Sequence, residues 1–171
     1  VLRVDDGVVT REDLETDATL YGVWDTGDVV WAVGGTPGAA GEIWRRDAGE
    51  WTLFSDNFDG AIFKVWDDWF VGEAGVWQLV DGALVAWPAD DRMLTVRGRS
   101  DDDVFAVGGN QSARVRHWDG ATWSETDATG LGQPLNGVWT AAGEPVWIAG
   151  NFGVTAFDDG SGWTMPDLPL T

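Results

Sequence analysis

The chain has 171 residues and a formal charge of −19, from 29 acidic and 10 basic side chains. Such a surface repels phosphate backbones and anionic lipid, which argues against nucleic-acid binding and attachment to a membrane surface. It has no cysteine, which excludes a disulfide framework, thiolate-bound zinc and thiol catalysis, and no apolar run of about 18 residues that would insert as a helix. Trp occurs 13 times and Gly 24 times, as suits short strands joined by tight turns.

In chain order, residues 1–19 read as half a repeat. "VDDGVVTREDLETDAT" follows "HWDGATWSETDAT", with an identical "ETDAT" at Glu15–Thr19 and Glu125–Thr129. Residues 20–57 form the first full unit. Its four strands are expected at Leu20–Trp24 (A), Val29–Gly34 (B), Glu42–Arg46 (C) and Trp51–Ser55 (D). Strand B, "VVWAV", is apolar throughout, as a strand covered on both faces should be. Three further units follow at 58–92, 93–132 and 133–171. Each has a B phrase closed by glycine: "WAVG" at Gly34, "WFVG" at Gly72, "FAVG" at Gly108 and "WIAG" at Gly150. An aromatic stands three places earlier each time: Trp31, Trp69, Phe105 and Trp147. The A phrases are "YGVW", "FKVW", "LTVR" and "NGVW". The C–D hairpin cues are "DAGEW", "VDGAL", "WDGATW" and "DDGSGW". Asp-Gly tolerates the positive φ angles of a tight hairpin turn.

Four-stranded units of this size with aromatics at fixed places predict an all-β chain, a β-propeller of antiparallel blades. Trp is large enough to fill the wedge between blades, so the B-strand aromatics, Trp147 among them, are expected in the core. Trp87 and Trp118 fall outside the repeat pattern and are the best candidates for exposed aromatic contacts. Half a blade plus four blades suggests a ring of about five or a segment of a larger one. A second copy completing the half blade is one expectation. A piece of a larger multi-domain protein is another.

On "GVW…DVVWAVG…IWRRDAGEW" and "DVFAVGG…VRHWDGATW", the chain resembles bacterial propeller repeats of the Asp-box and photosystem II assembly-factor kinds. The Asp-box pattern is Ser/Thr-x-Asp-x-Gly-x-Thr-Trp. Asp158, Gly160 and Trp163 fit it, whereas Ala156 and Gly162 depart from it. Gly120, Thr122 and Trp123 fit, with Trp118 in place of the Asp. The resemblance implies the fold and carries over no active site.

In a propeller the D–A and B–C loops share the usual ligand face. The polar groups predicted there are Glu73, Arg92, Asn110, Gln111 and Asn151, with Phe152 as an aromatic neighbour. Amides beside an aromatic face suit a sugar or peptide, although the same residues are common in plain hairpin loops. His117, the only histidine, varies between repeats and reads as a surface strand position. Asp67–Asp68, Asp90–Asp91, Asp101–Asp103 and Asp158–Asp159 supply paired carboxylates, but in turns, where Asp is at home. "SDDD" at Ser100–Asp103 lacks the spaced ligands of a calcium loop. No metal, cofactor or catalytic residue is assigned. The leading expectation is a non-catalytic binding or scaffold propeller, secreted or at the cell envelope, with a protein or glycan ligand. The rival is a lectin or a sialidase-like glycoside hydrolase.

Overall fold

A computed structural model describes residues 1–89, 91–126 and 128–166 of the chain. Strands β1 (Leu2–Asp5) and β2 (Val8–Arg11) form a separate two-stranded hairpin. Blade 1 is β3 (Thr19–Asp25), β4 (Val30–Thr36), β5 (Ala40–Asp47) and β6 (Glu50–Ser55). Blade 2 is β7 (Ile62–Trp66), β8 (Trp69–Gly72), β9 (Gly75–Val80) and β10 (Ala83–Pro88). Blade 3 is β11 (Met93–Ser100), β12 (Asp103–Gly108), β13 (Arg114–Trp118) and β14 (Trp123–Thr126). Blade 4 is β15 (Leu135–Trp139), β16 (Val146–Gly150) and β17 (Thr155–Asp158), with a single bridge from Phe157 to Thr164 where a fourth strand would lie.

Every full sheet is an antiparallel meander, and each strand pairs with its sequence neighbour. Tight turns make this possible. At Asp81–Gly82 both residues take positive φ, 50° and 80°, the geometry that joins β9 to β10 without splaying them. The innermost strand of every blade carries a register shift at one repeat position, at Tyr21, Phe63, Leu94 and Asn136. A recurrent bulge of this kind bends and twists the strand.

The glycine that closes each B phrase has a steric cause. A Cβ on Gly34, Gly72, Gly108 or Gly150 would overlap the carbonyl oxygen of Thr19, Ala61, Arg92 or Pro134, at the start of the neighbouring innermost strand. The glycine that ends each B phrase therefore marks a close backbone approach within its blade.

Three apolar clusters hold the blades together, one at each blade–blade contact. Trp31, Val33 and Ile43 of blade 1 pack with Ile62, Val65 and Phe70 of blade 2. Trp69 and Val71 of blade 2 pack with Val96, Ala106 and Trp118 of blade 3. Phe105, Val107 and Val115 of blade 3 pack with Leu135, Ile148 and Ala156 of blade 4. Trp31, Trp69 and Phe105 are 3%, 2% and 8% exposed.

Two aromatic expectations are corrected. Trp147, the same repeat position in blade 4, is 37% exposed. Its face looks away from blade 3, and among the described residues no further blade covers it. Trp118 is buried, not exposed. It lies on the face of blade 3 that receives Trp69, with ring centroids 5.2 Å apart, and it also meets Trp87 at 5.0 Å and Trp123 at 5.9 Å. Trp87 is partly buried in this same cluster. Among the described residues no strand of blade 4 pairs with blade 1.

Candidate functional site

The residues proposed for the ligand face lie in the loops between second and third strands and beside the first strands. Their polar groups are largely engaged within the chain. Glu73 follows β8, and its Oε2 accepts the backbone N–H groups of Gly38 at 2.6 Å and Ala61 at 2.9 Å. One carboxylate thus fastens the blade 1 loop to the entry of blade 2. Charge-assisted bonds to backbone N–H are among the stronger hydrogen bonds, so this is a clamp between blades.

Around blade 3, Asn110 donates from Nδ2 to Asp91 Oδ1 at 2.6 Å, and Arg114 donates from Nε to Asp91 Oδ2 at 2.9 Å. Arg92 donates from Nε to the Gly109 carbonyl at 3.3 Å. In blade 4, Asn136 donates from Nδ2 to Asn151 Oδ1 at 2.7 Å. Gln111 is exposed. Phe152 stands at the loop tip with φ of 56° and is 93% exposed. Glu73, Arg92, Asn110 and Asn151 each find a partner in their own blade or the adjoining one. They do not converge on a common cavity.

The carboxylate pairs divide by environment. Burial first, then the negative charge of Asp101, pushes the Asp67 carboxyl above its ordinary value. Burial, then Asp67 and Asp101, does the same for Asp68. Asp103 accepts from Arg99 at 3.1 Å and meets His117 Nε2 at 2.8 Å. His117 is therefore more than a surface strand position. It stacks on Phe105, centroids 4.3 Å apart, while Arg99 reaches on to the buried Thr140 of the blade 4 turn. Asp119 and Asp158 cap their own hairpin turns. Asp119 Oδ1 accepts the N–H of Ala121 and Thr122, and Asp158 Oδ1 accepts those of Gly160 and Gly162. Asp90 lies outside the described residues. Among the described residues no group of three His, Asp or Glu is placed to hold a metal ion.

Sequence reasoning passed over two features. One is Glu12, between the β1–β2 hairpin and blade 1. It accepts from Arg46 Nε at 2.8 Å, Arg46 Nη2 at 3.0 Å and Trp51 Nε1 at 2.8 Å, with Arg3 Nε at 3.3 Å. The other is a set of clefts on the same outer face of blade 1. One of about 740 Å³ is lined by Leu14, Trp44, Trp51 and Leu53. Another of about 480 Å³ is lined by Leu2, Val4, Val23, Val30 and Arg46. Only the alignment of residues 4–19 with 117–129 hinted that an outer half blade would lie there.

No protein-family model matches the chain, and no characterised protein matches it in sequence. Among solved structures it is similar to the crystal structure of the computationally designed Ika4 protein. The match has a TM-score of 0.61 and 13% identity, and covers 87% of this chain and 98% of the other. At that identity the likeness speaks for the fold alone.

Proposed function

We propose that the chain is a non-catalytic binding or scaffold module of propeller blades. The observation that carries this reading is the engagement of the loop-face polar groups. Glu73 and Asp91, the carboxylates best placed for acid or base work there, are held by backbone N–H groups and by Asn110 and Arg114. A glycosidase needs two carboxyls facing each other across a cleft that admits the sugar. The remaining chemistry of that face is the exposed Phe152 ring beside Asn151, a contact surface and not a reacting one.

The test is an activity screen on the full chain with fluorogenic glycosides, sialosides included. Turnover is expected to equal that of heat-inactivated protein. Hydrolysis that disappears in the Glu73→Gln or Asp91→Asn variant would replace this reading with a glycoside hydrolase. The lectin reading keeps one support, Phe152 beside Asn151. A glycan array in which a wild-type signal is lost in Phe152→Ala would favour it.

A further inference from the structure

The blades within this chain obey one packing rule. The second-strand aromatic of each blade shares a cluster with the first-strand valine of the next: Trp31 with Val65, Trp69 with Val96, Phe105 with Val138. Val65 and Val96 are 0% and 1% exposed. Among the described residues, both halves of a fourth such pair are present and left uncovered. Trp147 stands on the far face of blade 4 in a row with Trp139 and Phe157, across register-paired strands. Trp139 is exposed as well. Val23 stands on the near face of blade 1 and is 53% exposed, with Leu53 also open and the two clefts alongside.

We propose that these two faces join copies of this chain head to tail, with Trp147 of one copy seated against Val23 of the next. The interface continues the three that already exist inside the chain, so its chemistry is specified by them: an aromatic row against a valine row. The outlines also match. The β1–β2 hairpin, held through Glu12 to Arg46 and Trp51, occupies the outer part of the blade 1 face. Among the described residues, the fourth strand of blade 4 is reduced at that radius to the Thr164 bridge. A contact between two different faces closes a ring or grows a chain of copies, unlike a symmetric face-to-face dimer. The inference stands apart from the binding reading above, because it uses the end faces and no loop-face residue.

The experiment is light-scattering mass of the full chain over a concentration series in moderate salt, which screens the repulsion between chains of charge −19. A mass of twice the 18.5 kDa chain or a higher multiple is expected. Val23→Asp and Trp147→Asp should each weaken assembly by about 30-fold or more, the loss of a buried anchor. Mixed together they should form a one-to-one pair and stop there, because each variant retains the face that the other lacks. A monomer throughout the series overturns the proposal. So does Val23→Asp that assembles like wild type, which is the result for Trp147 faces pairing with each other. Near-UV circular dichroism confirms folding of each variant, and Val23→Lys and Trp147→Lys read the same two faces should either Asp variant fail it.

Discussion

Trp69→Ala and Trp147→Ala change one repeat position in two environments. Burying roughly 200 Å² of an indole side chain at about 25 cal/mol per Å² is worth about 5 kcal/mol. Trp69, 2% exposed, realises nearly all of this. It touches Trp118 and Trp123 at 5.2 and 5.1 Å, so its removal also leaves a cavity inside the blade 2–blade 3 contact. Its truncation should cost about 4–5 kcal/mol, the upper part of the range for large-to-small core changes. Trp147, 37% exposed, realises about two-thirds of the transfer energy, and the space it vacates opens to solvent. That truncation should cost about 3 kcal/mol, with no cavity contribution. Urea unfolding followed by far-UV circular dichroism gives both values. Low protein concentration removes any stabilisation from assembly, which mass action would add at higher concentration. If Trp147→Ala costs as much as Trp69→Ala under those conditions, the far face of blade 4 is covered and the reasoning from its exposure is wrong.

Gly72→Ala places a methyl on the Ala61 carbonyl, which is backbone and cannot swing aside, so a loss of about 2 kcal/mol or more is expected by chemical denaturation. A near-neutral result would show that the blade entry relaxes. Glu73→Gln should lower stability by about 1–3 kcal/mol, because the amide accepts more weakly from the Gly38 and Ala61 N–H groups and brings donors that have no partner there. An unchanged urea midpoint would show that the clamp contributes nothing.

Asp68 has its carboxyl raised by burial and by Asp67 and Asp101, so the folded state binds its proton more tightly than the unfolded chain does. Its charge therefore destabilises at neutral pH, and the penalty fades as pH falls toward 3.8. Asp68→Asn should raise Tm by roughly 1–3 °C at pH 7 and by nothing in acid, and a lowered Tm at pH 7 would contradict this. For Glu12 the sign is opposite. Burial pushes its carboxyl up, but the Trp51 and Arg46 hydrogen bonds and the Arg46 and Arg3 charges hold it below 4.5. Its stabilisation is present above 4.5 and is lost as pH falls through the lower folded value. The protection factors of the β1–β2 amides, taken against the intrinsic exchange rate at each pH, should thus fall only in acid, and a hairpin already unprotected at pH 7 would show that Glu12 does not anchor it.

The blade pattern was legible in the sequence because it is local. Strand alternation, the Asp81–Gly82 turn and the glycine after each aromatic phrase are short-range demands of a meander, and residues a few places apart express them. The sequence also marked Trp31, Trp69, Phe105 and Trp147 as one position. It could not say that three are buried and one is not, since burial depends on which blade lies opposite. The same holds for Trp118, which reads as unpatterned until Trp69 of the preceding blade arrives against it. The loop-face candidates were located by chain order, but their hydrogen bonds run between loops. Glu73 meets Gly38 across 35 residues, a separation at which no sequence rule operates. The sequence alone determined the repeated blade, its turns and its aromatic wedge. Tertiary structure alone decided which wedges are covered, because covering a sheet face takes a second sheet.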